Sequence, residues 1–485
     1  MDTEEQKTIN EYEQARQGKV NQLRELGVDP YGGRFTETDS LAAIKDRYDP
    51  DNEEQQVRGA GRIVLHRDIG KLIFITLRDW SGTVQIGLSK KLLGEDWNIA
   101  KLLDLGDIVG AVGSLGRTKT GEVTVWVTQL KLLAKATLPP PNKWQGLADM
   151  ELRYRQRYVD LFANPPVMQT FKDRAAIVEN IRDFLHGRGF MEVETPMMQS
   201  IAGGAAARPF VTHHNTLDMK LYLRIAPELY LKRLLVGGME RVFEINRNFR
   251  NEGISTRHNP EFTMCELYQA YADYNDMMDL IEELVCQLVR QRSESGRLSF
   301  SEQEIDYSKP WARKTYSELF AAHVGCDITD IGSIRQKAGA MEIAEADMDD
   351  TVVINKVFEE HVEDKLINPT FVIDYPAALC PLTRRKAGNS EIAERFELFV
   401  AGMEIANAYT ELNDPAVQEE NFQKQLRGQE ETEAVTDDDF VTALKYAMPP
   451  AGGLGFGIDR LVMLLTDSAS IRDVILFPLM RPKEN

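Results

Sequence analysis

The chain of 485 residues is 43% hydrophobic and 27% charged, which is typical of a globular protein of two or three domains. A formal net charge of -19 argues against non-specific binding to nucleic acid, because that mode depends on neutralising phosphates, but it does not exclude a local basic face. The N-terminus does not resemble a signal peptide and no apolar run reaches the roughly 20 residues of a membrane span, so we expect a cytoplasmic protein without membrane contact.

The first 50 residues predict a helical N-terminal extension (1–50). Charged helix formers run from Glu4 to Leu26, and Gly27 ends the helix. Four basic residues of this segment either contact a polyanion or form an ordinary solvated face: Lys7, Arg16, Lys19 and Arg24.

Short β-rich segments separated by turn signals dominate residues 51–137. They are residues 61–65, 72–77, 84–88, 108–112 and 123–132. About five strands in roughly eighty residues predict a small β-barrel of the oligonucleotide-binding (OB) type. The proline-rich segment from Leu138 to Pro141 then predicts a stiff linker over 138–150.

A helix followed by a strand opens a larger domain, which we assign to residues 151–485. Helical spacing of apolar residues begins at Phe171 and stops at Gly187, and residues 190–195 predict a strand that ends at Pro196. The remainder mixes strand-like and helical segments. This mixture predicts an α+β fold with a central antiparallel sheet flanked by helices.

A polar hairpin around Arg250 carries the first functional signal. Strand-like segments flank it, so that Arg250, Glu252 and Phe262 would project from one sheet face towards one ligand. A guanidinium can bridge a carboxylate and the α-phosphate of ATP, two anions that must meet when a carboxylic acid is activated. Phe262 would stack on the adenine ring.

Neighbouring residues of the hairpin supply further contacts to a nucleotide. His258 or Arg257 would reach the outer phosphates, and Glu252 and Asn259 would fix the adenine edge or the loop. Taken alone, Arg250 and Glu252 equally fit a surface ion pair, which contributes roughly 0 to 1 kcal/mol.

A glycine-rich segment near the C-terminus, residues 453–460, favours the functional interpretation. Its small residues permit close backbone approach, and Arg460 opens an amphipathic helix. In this order the hairpin and the glycine-rich segment resemble motifs 2 and 3 of class II aminoacyl-tRNA synthetases. The helix and strand at 171–196 resemble motif 1, which builds the dimer in that family.

Charged residues beside the hairpin indicate which acid is activated. A lysine pocket must desolvate an ammonium group and therefore needs carboxylates, whereas an aspartate pocket needs Arg or Lys. Glu266 and Glu411 are the candidate carboxylates. Glu266 and Tyr268 lie two apart on the returning strand and share a face, where Tyr268 can donate a hydrogen bond and line the aliphatic stem of lysine.

From about Val57 to Pro482 the chain resembles the class II lysyl-tRNA synthetases of bacterial type. The resemblance is carried by residues 203–210 (GGAAARPF), 224–231 (RIAPELYL), 246–253 (NRNFRNEG) and 409–413 (YTELN). It implies a homodimer that activates L-lysine with ATP to lysyl-adenylate. The lysyl group then passes to the 3′-end of tRNA(Lys).

The same resemblance implies roles for individual residues. Lysine would be bound by Gly204, Glu228, Arg250, Glu266, Tyr268, Asn407, Tyr409, Glu411 and Gly455. ATP would be bound by Arg250, Glu252, His258, Asn259, Phe262, Glu397, Glu404 and Arg460, of which Arg250 and Arg460 are catalytic. Glu397 and Glu404 would hold Mg²⁺ beside ATP, since carboxylates are its expected ligands.

In the barrel, three residues on consecutive predicted strands match the family positions that read a central anticodon uridine: Arg62, Phe74 and Gln85. Such barrels stack aromatic side chains on splayed bases. By alternation alone, Phe74 also fits the barrel core.

Several positions depart from the bacterial pattern. Ala406 and Ala408 stand where many bacterial members have glycine, and Tyr409 stands where they have Phe, which would tighten the pocket wall. Two other functions compete with the leading one. A ligase that attaches lysine to a protein would lack the barrel, and a non-catalytic RNA-binding relative would have lost Arg250, Glu404 or Arg460.

Overall fold

The computed structural model describes residues 3–36, 38–52, 55–141, 146–201, 203–205, 207–341, 343, 348–427 and 437–482. The chain divides into two compact units, Met1–Ala148 and Asp149–Asn485. In the described part of the chain, no helix is both long and apolar enough to cross a membrane.

Five strands close into a barrel in the first unit. They are β1 (Gln56–Asp68), β2 (Leu72–Arg78), β3 (Thr83–Ser89), β4 (Ile108–Arg117) and β5 (Val123–Ala134). Their order around the barrel is β1-β2-β3-β5-β4, and β3 and β5 run parallel. Each strand contains one of the predicted segments, and the predicted five-stranded barrel is confirmed.

The α-helices in the described part of this unit are α1 (Thr3–Glu25), α2 (Leu41–Asp46), α3 (Lys90–Leu93) and α4 (Trp97–Ala100). Leu23 of α1 and Leu41 of α2 are fully buried in the barrel core. Arg16 Nη1 donates to three backbone carbonyls, and Lys19 Nζ lies 2.7 Å from Asp104 Oδ1. These two basic side chains therefore bind atoms of their own unit.

The strands of the second unit are β6 (Met191–Glu192), β7 (Met198–Gln199), β8 (Val211–His214), β9 (Met219–Leu223), β10 (Arg241–Phe249), β11 (Glu261–Ala270), β12 (Arg297–Phe300), β13 (Gln303–Asp306), β14 (Ala312–Thr315), β15 (Thr370–Pro376), β16 (Arg385–Lys386), β17 (Asn389–Val400), β18 (Met403–Thr410) and β19 (Ala451–Gly457). The central sheet has the order β14-β15-β17-β18-β19-β11-β10-β6, and β16 pairs with β17. Its edge pairs β14-β15 and β10-β6 are parallel and its inner pairs are antiparallel.

The helices of the second unit are α5 (Met150–Arg155), α6 (Arg157–Ala163), α7 (Pro165–His186), α8 (Glu228–Val236), α9 (Tyr274–Arg290), α10 (Tyr316–Val324), α11 (Ile331–Ala340), α12 (Asp350–His361), α13 (Pro415–Arg427), α14 (Asp438–Lys445), α15 (Ile458–Leu465) and α16 (Ile471–Val474). Together with the sheet they confirm the predicted α+β class. Two further small sheets, β12-β13 and β7-β9-β8, lie outside the central one.

One face of the central sheet packs against α7, α9 and α15. Cys265 and Leu267 of β11 and Phe456 of β19 are fully buried in this core. Because side chains alternate along a strand, the residues between them point to the opposite face. That second face carries the site.

The segment predicted as a strand at 190–195 forms only the short strand β6 before the chain leaves the sheet. Its preceding helix, α7, begins at Pro165, earlier than Phe171, and proline is well accommodated in a first helical turn.

Candidate active site

A cavity of about 610 Å³ opens on the second face of the central sheet. On β11 the cavity is bordered by the alternate residues Phe262, Met264, Glu266 and Tyr268, and also by Thr263. Almost all of the residues predicted to bind lysine or ATP border this one cavity: Gly204, Glu228, Arg250, Glu252, His258, Asn259, Phe262, Glu266, Tyr268, Glu397, Glu404, Asn407, Tyr409, Gly455 and Arg460. Glu411 lies behind the wall.

Strand register aligns the floor of the cavity in two rows across β11, β19, β18 and β17. One row is Glu266, Gly455, Asn407 and Glu397, and the next is Tyr268, Gly453, Tyr409 and Arg395. Residues of one row point to the same face of a sheet. The polar groups therefore converge although they come from four separate segments.

Glycines in the middle of both rows leave room for the neighbouring side chains. A Cβ on Gly453 would lie 1.9 Å from Glu411 Oε1 and 2.6 Å from Tyr268 Cε1. A Cβ on Gly455 would meet the flexible end of Met264 at 3.3 Å. Ala406 and Ala408 of β18 pair with Phe456 and Leu454 of β19 and belong to the buried core, and Ala406 also borders the cavity.

Carboxylates gather at one end of the cavity. Glu228 begins α8 and Glu266 extends from β11, and both are buried. Burial, and then the negative charge of Glu228, raise the pKa of Glu266 to about 8. Burial and the same carboxylates raise the pKa of Tyr268 well above its usual value, so that its hydroxyl remains a neutral donor.

The backbone of Gly204 approaches Glu228 at this acidic end. Gly204 has a φ of +89°, and a Cβ there would lie 3.3 Å from Ala226 and 3.4 Å from Glu228. Glycine adopts this conformation without steric strain, whereas other residues rarely do.

Behind the acidic end, Glu411 forms an ion pair with a fully buried lysine, Lys232 of α8. Lys232 Nζ also lies 2.7 Å from Glu228 Oε1, one helical turn away. Sequence reasoning missed Lys232, although its spacing of four residues from Glu228 is typical of helical ion pairs.

Arg250 lies in the connection between β10 and β11 and borders the cavity outside its acidic end. Its backbone nitrogen donates to Pro260 O at 2.9 Å, and its guanidinium carbon lies 5.1 Å from the centre of the Phe262 ring. Among the described residues, the buried Nε of Arg250 has no hydrogen-bond partner. A guanidinium held against an aromatic face with a free donor suits an anionic ligand.

Arg460 and His258 meet from two distant segments. Arg460 Nη1 donates to Glu404 O at 2.6 Å, and Arg460 Nη2 lies 3.0 Å from His258 Nε2. Burial and the positive charge of Arg460 lower the pKa of His258, so the neutral imidazole accepts from Arg460. Arg257 also borders the cavity, with Nη1 donating to Gly402 O at 2.9 Å.

Asp459 fixes the position of the helix that carries Arg460. Its Oδ2 accepts from Thr263 N of β11 at 2.7 Å, and its Oδ1 lies 2.6 Å from Arg174 Nη1 of α7. This buried aspartate joins α7, β11 and α15. Sequence reasoning missed it, although it stands directly before Arg460 in the glycine-rich segment.

Two acidic side chains border the cavity near Arg460. Glu397 Oε2 accepts from Tyr375 OH at 2.7 Å, and Glu397 Oε1 pairs with Arg395. Burial and the negative charge of Glu404 raise the pKa of Glu397, whereas the positive charge of Arg395 lowers it. The net effect is a raised pKa. Among the described residues, no group of three or more His, Cys, Asp or Glu side chains is arranged to hold a metal ion.

The donor set of Glu397 and Glu404 nevertheless fits a divalent cation at a nucleotide. Mg²⁺ is typically held by one or two carboxylates and takes its other ligands from phosphates and water. Burial and the nearby carboxylates Glu397 and Glu359 raise the pKa of Glu363 to about 8, which reflects a local excess of negative charge.

On the barrel, Phe74 lies on the outer surface of β2. Its neighbours Ile73 and Ile75 are buried, so alternation directs Phe74 outwards and not into the core. The Phe74 ring meets the Trp126 ring edge to face, with centroids 6.0 Å apart, and the Arg67 guanidinium carbon lies 5.4 Å from the Phe74 centroid.

Trp126 lies over the backbone of β3 at Gly87. A Cβ on Gly87 would stand 2.8 Å from the Trp126 ring, and strand pairing puts Phe74, Gly87 and Trp126 side by side. Gln85 Nε2 donates to Thr124 Oγ1 at 2.7 Å, and Arg62 Nη1 donates to Gly106 O at 2.8 Å. Sequence reasoning missed Trp126. The alternation of inward and outward side chains along β5 places Trp126 on the outer face.

Comparisons with known proteins agree with this architecture. Residues 149–481 match the family model of tRNA synthetases class II (D, K and N), and residues 57–133 match that of the OB-fold nucleic acid binding domain. Proteins named lysine–tRNA ligase from Pelotomaculum thermopropionicum and Carboxydothermus hydrogenoformans are each 53% identical, over 98% and 99% of this chain and 96% and 100% of their own lengths. A protein of the same name from Magnetococcus marinus is 52% identical over 99% of both chains.

Proposed function

The chain belongs to the class II tRNA synthetases (D, K and N), and from that premise we propose that it joins L-lysine to tRNA(Lys) with ATP. As a member of this family it is an aminoacyl-tRNA synthetase. The proposal rests on one observation above all: a single cavity has buried carboxylates at one end and arginines elsewhere on its wall. The relatives named lysine–tRNA ligase support the same substrate.

The acidic end favours lysine over the other amino acids of the family. Glu228 would pair with the α-ammonium group beside the backbone of Gly204, and Glu266 would pair with the ε-ammonium group. Tyr268 would donate to Glu266 or line the aliphatic stem. An aspartate or asparagine side chain would leave the buried Glu266 carboxylate without a cationic partner, which is strongly unfavourable.

Asn407, Tyr409 and Gly455 complete the lysine pocket in this proposal. Asn407 and Gly455 share a strand row with Glu266, and Tyr409 shares one with Tyr268. Glu411 acts on the ε-ammonium from behind the wall.

The first step joins the lysine carboxylate to ATP. A carboxylate oxygen attacks the α-phosphorus, the bond from that phosphorus to the bridging oxygen breaks, and pyrophosphate leaves with its electron pair. Arg250 would bridge the two anions through its free donors, and Phe262 would stack on adenine. Catalysis by positioning and charge needs no nucleophilic side chain.

Residues on the opposite wall would hold the rest of the nucleotide. Arg460 would contact the phosphates, and His258 or Arg257 would reach the outer ones. Glu252 and Asn259 would fix the adenine edge or the loop; the buried Asn259 Oδ1 has no hydrogen-bond partner among the described residues.

Mg²⁺ is part of the proposal. When bound, it would neutralise charge on the phosphates, and Glu397 and Glu404 would hold it. In the second step, a terminal ribose hydroxyl of the tRNA attacks the lysyl carbonyl carbon and AMP leaves.

The barrel would read the anticodon of tRNA(Lys). We assign Phe74 as a stacking surface for a central uridine, with Arg62 of β1 and Gln85 of β3 as the other base-reading residues. Trp126 and Arg67 would extend this surface, because aromatic and guanidinium planes both stack on bases.

We further propose a homodimer built on α7 and β6, the elements that resemble the dimer motif of the family. Met191 of β6 is 55% exposed and is therefore available to pack against a second copy of the chain. Sedimentation at assay concentration should give a dimer, and a monomer would contradict this part of the proposal. A cytoplasmic location suits the four unbridged cysteines, because thiols persist in reducing compartments.

Amino-acid-dependent exchange of pyrophosphate into ATP tests the activation step, and charging of tRNA(Lys) tests the transfer. The competing protein ligase would show exchange without charging. The competing non-catalytic relative would bind RNA without either activity, yet Arg250, Glu404 and Arg460 are all present on the cavity wall.

A further inference from the structure

Lys232 is a fully buried cation behind the acidic end of the cavity. Its side chain is 0% exposed, and it contacts Glu228 at 2.7 Å and Glu411 on the other side. These are two of the three carboxylates to which the proposed function gives lysine-binding roles. One ammonium group therefore contacts both carboxylates from the side away from the ligand.

We propose that Lys232 is a specificity-determining positioning residue that holds Glu228 and Glu411 in place and sets the net charge of the lysine pocket. The inference rests on the proposed function, since it assumes lysine as the ligand. When all three carboxylates are ionised, as an ammonium ligand requires, Lys232 leaves Glu228, Glu266 and Glu411 with two uncompensated negative charges. Substrate lysine carries two ammonium groups at neutral pH, so the bound pocket is balanced.

The contacts of the carboxylate oxygens support this role. Lys232 Nζ forms ion pairs with Oε1 of Glu228 and with Oε2 of Glu411. Oε1 of Glu411 has no hydrogen-bond partner among the described residues and occupies the space above Gly453, next to Tyr268. Glu411 thus has one oxygen fixed by Lys232 and one that remains for the substrate, and Lys232 fixes Oε1 of Glu228, a residue that borders the cavity.

The protein needs such a cation because the three carboxylates are buried together. Burial and mutual repulsion raise the pKa of Glu266 and of Glu411 to about 8, in the latter despite the ion pair with Lys232. Burial lowers the pKa of Lys232, but Glu228 and Glu411 outweigh it, so Lys232 is charged at neutral pH. Lys232 lowers the pKa of Glu411, so without this cation Glu411 would hold its proton more tightly and bind an ammonium group less well.

Lys232→Gln tests the inference, because the amide keeps a donor and much of the volume but removes the charge. Lys135→Gln is the matched control. Lys135 is likewise a buried lysine between two carboxylates, Asp104 at 2.6 Å and Asp107 at 2.8 Å, but it belongs to the barrel unit. Lys232→Arg restores the positive charge.

The assay is pyrophosphate exchange with lysine and ATP varied separately, alongside thermal unfolding. We expect Lys232→Gln to raise the KM for lysine at least about tenfold, the loss typical of one charged hydrogen bond, with the KM for ATP within about twofold of wild type. Lys135→Gln should lower the unfolding temperature but leave the KM for lysine unchanged. If Lys232 had a purely structural role, its substitution would not raise the KM for lysine while leaving the KM for ATP nearly unchanged.

A folded Lys232→Gln protein that binds lysine within about twofold of wild type overturns the inference, as does an equal rise in both KM values. If Lys232→Gln does not fold, Lys232→Arg decides. Because Lys232→Arg retains the positive charge, its KM for lysine should stay within about fivefold of wild type. A rise of about tenfold or more in this variant contradicts the inference. Absence of lysine-dependent exchange in the wild type would instead refute the proposed function itself.

Discussion

Replacing Glu266 with Gln removes the buried carboxylate that we pair with the ε-ammonium group of lysine. Glu266 is 6% exposed, so the pair would be almost fully desolvated. Breaking a buried ion pair by removing one partner costs about 3–5 kcal/mol. The KM for lysine should therefore rise by about two to four orders of magnitude, while the KM for ATP changes little.

The raised pKa of Glu266, about 8, adds a pH dependence to this prediction. About a tenth of these carboxyl groups are ionised at pH 7 and about half at pH 8. Since an ammonium group needs the ionised form, the wild-type KM for lysine should fall about fivefold over this interval. Glu266→Gln should show a smaller fall, and the part that remains is expected from Glu411, whose pKa is also raised to about 8.

The same shift has a defined consequence for stability. Between pH 4.5 and about 8 the folded protein holds a proton on Glu266 that the unfolded chain releases. The free energy of unfolding of the ligand-free protein should therefore decrease as the pH rises through this window, and less so in Glu266→Gln.

Glu261→Gln is the matched control, because Glu261 lies on the same strand but is exposed. The KM for lysine in pyrophosphate exchange is measured at pH 7 and 8 for the wild type, Glu266→Gln and Glu261→Gln. A folded Glu266→Gln protein with a KM for lysine within about twofold of wild type would refute the assigned role. So would a wild-type KM that is flat between pH 7 and 8.

Three further experiments, which use four substitutions, test separate parts of the account. Arg250→Ala should lower the kcat of exchange about 10²–10³-fold, as expected for a lost charge-stabilising donor; near-normal exchange removes Arg250 from the mechanism. Gly453→Ala puts a Cβ 1.9 Å from Glu411 Oε1 and should raise the KM for lysine more than Gly455→Ala, whose Cβ meets Met264 at 3.3 Å; equal effects would contradict the packing argument. Phe74→Ala should raise the KM for tRNA in charging assays about tenfold, the value of a lost base stack; an unchanged KM would exclude stacking.

Alternation along one strand explains why part of the site is predictable from sequence. Strand β11 pairs with β10 without a register shift, so Phe262, Glu266 and Tyr268 share a face as the two-residue period predicts. All three border the cavity. Local periodicity is sufficient here because the strand is regular over its whole length.

The sequence pattern does not predict contacts between distant segments of the chain. The pairing of Lys232 with Glu411 joins residues on a helix and a strand end, and no local period connects them. Residues 453–457 of the glycine-rich segment lie in β19 in the centre of the sheet, although glycine is a poor strand former. Its position follows from neighbouring side chains that need the space, which only the assembled sheet reveals.

Pyrophosphate exchange by the wild-type protein with lysine, aspartate and asparagine compared side by side tests the central claim most directly. The account predicts rapid exchange with lysine and, because a buried Glu266 rejects a side chain without positive charge, negligible exchange with the other two. Exchange without lysine dependence, or equal exchange with aspartate or asparagine, would contradict it.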